Sequence, residues 1–280
     1  MFRDIDGDGR PDGVFVGGGV VAYASVNPAD PTAPWRVRAV SAPGPWPIHG
    51  VGVGDIDGDR RLDILTPYGW WAQPSSDTGA PWRFSSARLG RTGPPWGPGG
   101  AEMSVYDVNG DGLNDVVTAL AAHGWGLAWY EQRRPSTGSG RPEPAEGRDS
   151  AGLGSFVEHI IMDDFSTTNA GGVTFSELHG STAADLDRDG VPDLVVGKRH
   201  WSHLESYSDP DPNGPGVLYW YRTVRNPKAP GGAEFVPHLI HNRSGAGSTV
   251  TVTDLNKDGL PDVLTGTTRG TYIFWGLRAN

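Results

Sequence analysis

Five short segments of the chain gather acidic oxygens at a spacing suited to a hard cation. They are DIDGDGRPD over 4–12, DIDGDRRLD over 55–63, DVNGDGLND over 107–115, DLDRDGVPD over 185–193 and DLNKDGLPD over 254–262. Side-chain oxygens recur at positions 1, 3, 5 and 9: Asp4, Asp6, Asp8 and Asp12; Asp55, Asp57, Asp59 and Asp63; Asp107, Asn109, Asp111 and Asp115; Asp185, Asp187, Asp189 and Asp193; Asp254, Asn256, Asp258 and Asp262. With a backbone carbonyl at position 7, each set approaches the roughly six to eight oxygens that Ca2+ takes, so structural calcium is the expected ion. Asn109 and Asn256 lower the ligand charge of their loops. Position 6 is glycine in four copies, as a tight reversal with positive φ requires, but Arg60 stands there in the second, which is expected to strain that site.

The elements around these loops are strands. An EF-hand would need glutamate at position 12 and flanking helices. Here position 12 is Phe15, Thr66, Thr118, Val196 or Thr265, and each loop runs into a β-type segment such as DILTP or DLVVGK. A third strand follows (GWWAQ, GLAWYEQ, GVLYWYRTV, GTYIFW), then a fourth (WRFSSARL, SFVEHIIM, AEFVPHLIH). The loops start 51, 52, 78 and 69 residues apart, which is blade-sized. The expected fold is an all-β single domain over 1–280, a β-propeller of about five four-stranded blades with a calcium loop between the first and second strand of each. The polar stretch about 133–151 reads as a flexible insertion. Incomplete first and last blades would leave sheet edges through which the chain could self-associate.

In that architecture the loops occupy one face, so the residues before each inner strand and after each second strand converge on the other. His49 and His179 lie six residues before their loops and Glu102 five before its own; with His203 they are the expected ligands of a rim metal, Zn2+ or a similar divalent ion. Tyr68, Trp70, Trp125, Trp201 and Arg269, in the connections between second and third strands, are the expected substrate-binding residues. The alternative is that these histidines bond backbone groups across a polar central channel. His159, His238 and His241 fall on outermost strands and read as packing residues.

Composition narrows the function classes. Eighteen of the 33 acidic residues lie in the five loops, so the net charge of −10 is largely ligand charge. No basic stripe for nucleic acid is present. The absence of cysteine excludes disulfides and thiolate zinc sites. No apolar run approaches the roughly 18 residues of a membrane span. Glycine (42) and proline (24) punctuate turns, while eleven tryptophans supply core. Calcium loops fill best where calcium is abundant, so an extracellular or periplasmic location is expected, with any signal peptide absent from this chain.

Together with HGVGVGDIDGDRRLDILTPYGWWAQP and FSELHGSTAADLDRDGVPDLVVGKRHWSH, the loops resemble the FG-GAP/VCBS repeat propeller family. The non-loop segments are more narrowly similar to the propeller domain of aldos-2-ulose dehydratases. That narrower resemblance implies a metal-dependent lyase that removes water from a keto-sugar such as 1,5-anhydrofructose. It would use His123 as base, Glu177 as its substitute, and Lys198 or Arg199 to assist the oxyanion or leaving group. The chain departs from that pattern, having no cupin segment and fewer blades. The alternative functions are a calcium-stabilised, lectin-like carbohydrate binder and a protein-binding propeller without catalysis.

Overall fold

The computed structural model describes residues 1–47, 49–91, 99–134, 155–201 and 209–278. His203 and most of the 133–151 segment lie outside these residues.

Alternating sequence and frequent turn residues produce five successive antiparallel meanders. The first comprises β1 (Phe2–Arg3), β2 (Asp12–Gly17), β3 (Val20–Ser25) and β4 (Arg36–Ala39). The second comprises β5 (Val51–Gly54), β6 (Asp63–Thr66), β7 (Gly69–Ala72) and β8 (Arg83–Ser86), and the third β9 (Glu102–Tyr106), β10 (Asp115–Ala119), β11 (Leu127–Gln132) and β12 (Phe156–Met162). The fourth comprises β13 (Ser181–Ala184), β14 (Asp193–Gly197), β15 (Leu218–Arg225) and β16 (Ala233–His241). The fifth has three strands among the described residues: β17 (Val250–Thr253), β18 (Asp262–Thr267) and β19 (Gly270–Phe274). The molecule is all-β and has the architecture of a propeller. Every acidic loop joins the first strand of its unit to the second, and no described helix is long and apolar enough to cross a membrane.

The core lies between sheets. Successive residues of a strand point to opposite faces, so each unit offers one apolar face to the unit before and one to the unit after. The adjacent Trp70 and Trp71 divide in this way. Trp71 packs with Ile5, Tyr23 and Ile64 towards the first unit, whereas Trp70 packs with Leu89, Met103 and Tyr130 towards the third. Both indoles are 2 % exposed. Because both faces are covered, β6, β7, β10 and β11 are buried along their whole length, and outer strands such as β4 and β12 are largely exposed.

Polar latches join neighbouring units at the loops. Gln73 Nε2 donates to the Ile5 carbonyl at 2.5 Å and Gln132 Nε2 to the Ile56 carbonyl at 3.1 Å, each from the end of one unit's third strand, or the residue just past it, to the preceding unit's loop. Arg225 repeats the contact onto the Asp107 carbonyl at 2.8 Å. Inner strands run side by side: β5 pairs parallel with β9 through Val51 with Glu102 and Gly52 with Met103, and β13 packs against both β9 and β17.

Close approach of β5 and β9 depends on the missing Cβ atoms of the VGVG strand. A methyl group on Gly52 would stand 2.7 Å from Met103 Cβ and 2.8 Å from its carbonyl oxygen, whereas one on Gly266 in β18 would meet nothing within 4 Å. Gly52→Ala is therefore expected to cost about 1–3 kcal/mol, and Gly266→Ala to stay within about 0.5 kcal/mol. Denaturant midpoints of the two variants measure this, and equal midpoints would contradict the packing account.

Candidate functional site

The acidic loops are folded around their own carboxylates. In the second loop, Asp55 Oδ1 accepts the backbone N–H groups of Gly58 and Asp59 at 2.8 and 3.0 Å, and Oδ2 that of Arg60 at 2.8 Å. The sixth position has positive φ throughout, 70° at Arg60 and 83–91° at its glycine counterparts. The fourth position is also left-handed, which places Arg188 (φ 66°) and Lys257 (φ 63°) in a conformation better suited to glycine. Carboxylate oxygens converge within 4.8 Å in Asp4, Asp6 and Asp8, in Asp55, Asp57 and Asp63, and in Asp185, Asp187 and Asp193. Burial first, and neighbouring aspartates second, push the Asp57 carboxyl up. An oxygen-only donor set of like charges suits a hard divalent cation.

The ninth position has a further task. Asp63 Oδ2 accepts the N–H of Ile56 at 2.8 Å and Oδ1 that of Gln73 at 2.9 Å, tying loop to third strand. The pattern repeats at Asp115 with Val108 and Gln132, at Asp193 with Leu186 and Thr223, and at Asp262 with Leu255 and Gly276. Asp12 holds the loop half alone, through Ile5 and Asp6.

At the opposite ends of the strands, three histidines meet. His49 precedes β5, His179 precedes β13, and His123 lies in the β10–β11 connection. His123 Nε2 is 2.9 Å from His49 Nε2, and the His179 ring centroid is 4.4 Å from that of His123 and 5.6 Å from that of His49. One nitrogen from each ring falls within 4.8 Å of one from each of the others. Burial, followed by the charges of His123, Arg199 and His49, holds His179 down to about 3, so it is a neutral imidazole at physiological pH.

Beneath them sits Glu177. Its Oε2 is 3.7 Å from His123 Nδ1 and 3.9 Å from His179 Nδ1. The residue is 1 % exposed, and neither carboxylate oxygen accepts a hydrogen bond among the described residues. Its backbone is left-handed (φ 62°), held by its N–H to the Gly124 carbonyl and by the Arg199 N–H to its own carbonyl. Strain of this kind persists where surrounding contacts enforce it and concentrates at functional sites. Asp209 joins His123 and Glu177 within 4.8 Å. Lys198 is buried, donating from Nζ to Ser176 Oγ at 2.5 Å, and burial lowers its pKa while Asp211, Glu177 and Asp209 oppose that shift.

Several expected residues stand elsewhere. Glu102 lies apart from the histidines, with Oε2 accepting the Ser181 N–H at 3.3 Å and Oε1 the Thr249 hydroxyl at 3.4 Å, and burial pushes its carboxyl up to about 7. The reason is position: Glu102 opens β9 and pairs with Val51, two residues nearer the loop than His49, whereas His49 and His179 precede their strands. Trp70 is core, as described above, and cannot meet a ligand. His123, expected as a base, stands with His49 and His179.

Tyr68 and Trp125 are half-buried. The Trp125 ring lies 4.8 Å from that of Phe165, which is 75 % exposed. Trp201 is exposed beside His200, whose Nε2 receives Arg269 Nη2 at 2.7 Å. His159 stacks on Trp129, His238 on Trp220, and His241 packs against Tyr272, all on outer strands. Asp209 and Phe165 escaped the sequence reading. Asp209 lies in the β14–β15 connection, the same kind of position that pointed to His123, whereas Phe165 lies in the segment after β12 and carries no such signal.

Comparison with known proteins agrees with this architecture. A model of the FG-GAP-like repeat matches residues 4–66, spanning two acidic loops, and one of the FG-GAP repeat matches residues 246–276, spanning one. No curated protein matches. Among solved structures, a lectin of Agrocybe aegerita that recognises non-reducing terminal N-acetylglucosamine is similar at a TM-score of 0.53 and 18 % identity. The alignment covers 99 % of this chain and 62 % of that one, so the chain spans about three-fifths of the length of the structure it matches. The matches support an FG-GAP β-propeller.

Burial sets a pH dependence for the loops. It pushes Asp63 and Asp115 from 3.8 up to about 7. A carboxyl raised on folding contributes stability that is complete below its unfolded value and lost as pH rises through its folded value. In chelator, the denaturation midpoint is therefore expected to fall between about pH 4 and pH 8, with excess calcium restoring it at the upper end. A midpoint that climbs across this range in chelator would contradict the assignment.

Proposed function

We propose that this propeller binds carbohydrate at the mouth where His49, His123 and His179 meet, and that its acidic loops hold calcium as a structural ion. The observation that carries the reading is the Trp125–Phe165 ring pair beside that polar cluster. The backbone of Trp125 bridges to Ser176, one residue from Glu177, so the indole and the imidazoles share one local framework. Aromatic surface next to a few converging polar groups is the make-up of a small-molecule site, and pyranose rings offer apolar faces and hydroxyls to match. The similarity to an N-acetylglucosamine-recognising lectin supports the reading and suggests the first ligands to try.

A glycan array that includes terminal N-acetylglucosamine, followed by calorimetry on the best ligand, tests it. Trp125→Ala is expected to weaken binding at least tenfold, corresponding to about 1.4 kcal/mol, while Trp275→Ala, 50 % exposed on the fifth unit, leaves it unchanged. An array without binding, or equal loss in both variants, would overturn the proposal.

The contact between Glu177 and His123 favours a second reading, the keto-sugar lyase. An imidazole beside a carboxylate is a common proton-transfer pair, and His123 would take the proton next to the substrate carbonyl while Arg199, by the same strand end, met the developing charge. Incubation with 1,5-anhydrofructose separates the two. The binding reading expects no new ultraviolet absorbance, and growth of an unsaturated-ketone band that His123→Ala abolishes would replace it with the lyase.

A further inference from the structure

We infer that His49, His123 and His179 form a tri-imidazole centre for a borderline divalent metal such as Zn2+ or Co2+, with Glu177 as the outer carboxylate that orients two of the three rings. This goes beyond sugar binding and does not depend on it.

The donor set comes first. Three imidazole nitrogens converging within 4.8 Å suit zinc, cobalt, nickel or copper, whereas calcium and magnesium prefer the oxygens of the loops. The 2.9 Å between His49 Nε2 and His123 Nε2 admits two explanations. One is a shared proton. The other is a common ion, since two nitrogens each about 2.0–2.1 Å from one metal stand roughly 3 Å apart when cis.

Glu177 favours the ion. A carboxylate that is 1 % exposed and accepts no hydrogen bond among the described residues is costly to bury unless positive charge or an N–H is brought to it. Its Oε2 faces the Nδ1 atoms of both His123 and His179. A small closure would give each ring an Nδ1–H donated to the carboxylate and an Nε2 lone pair for a metal, the carboxylate–histidine–metal relay found behind most ligating imidazoles. The left-handed backbone of Glu177 puts the carboxylate there at a conformational cost. Three protein nitrogens among the described residues leave a coordination position for a further ligand, as in a catalytic rather than a closed structural site.

Lys198 belongs to the same design. Its buried ammonium, set against Asp211, Glu177 and Asp209, offsets only part of their carboxylate charge, so the cluster keeps a negative balance that favours an incoming cation. Glu177 and Lys198 are thus positioning residues.

Titration of metal-free protein with Co2+, in the presence of saturating calcium to fill the loops, tests the centre. One equivalent should produce visible absorbance characteristic of nitrogen ligation, and Zn2+ should abolish it by displacement. His179→Ala is expected to weaken Co2+ binding at least a hundredfold, and Glu177→Gln by about 10–100-fold with the band shifted. His159→Ala, on an outer strand, should change nothing. If the buried His179→Ala variant does not fold, the half-buried His49→Ala carries the same expectation. A cobalt spectrum identical to that of the aqueous ion, or one retained by both histidine variants, would overturn the metal centre in favour of a shared proton. Glycan binding is read separately on the same samples, so loss of one property does not decide the other.

Discussion

A buried aspartate at the head of the second strand, gripping backbone N–H groups on two sides in four of the five units, is the constraint on which the structure depends. Asp63, Asp115, Asp193 and Asp262 each fasten the second residue of the acidic loop with one oxygen and a residue on or just past the third strand with the other. Desolvating these carboxylates is unfavourable, and the paired hydrogen bonds offset that cost only with loop and sheet in register. The loop becomes a rigid end-piece to the sheet, to which Gln73, Gln132 and Arg225 then latch the following unit.

Fixing one end of each sheet determines what happens at the other. Loops that carry most of the acidic charge share one face, so the starts of the inner strands and the connections between second and third strands are gathered on the opposite face. His49, His123, His179 and Glu177 reach a common point from three different units because these units are held in a fixed relation. The two faces differ chemically. Exposed carboxylates with self-capping turns occupy the first, while the second mixes buried imidazoles, a carboxylate under backbone strain and exposed aromatic rings.

Much of the fold was legible in the sequence because its signal is repeated. Five copies of one loop, each followed by β-type runs, specify strand order and unit boundaries without long-range information. The site was legible only by register, and register failed where the counted residue already lay within a strand. Counting back from the loop brought out His49 and His179, but Glu102, the first residue of β9, faces the neighbouring inner strands instead. Trp70 was read as a connection residue, yet it is core, because the strand begins at Gly69 and its two faces are both covered. The left-handed fourth position of the loops was invisible wherever arginine or lysine occupies it. Asp209 was hidden because a carboxylate in a proline-rich connection shows nothing of its three-dimensional neighbours.

The most direct test of this account compares Asp115→Asn with Asp111→Asn in the presence of chelator, by denaturant midpoint. Both substitutions remove one charge from the same loop, but only Asp115 is buried and bonded to backbone on two sides. The account predicts a clear loss of stability for Asp115→Asn and almost none for Asp111→Asn. Equal losses, or a greater loss at Asp111, would show that the aspartate clamp does not organise the fold.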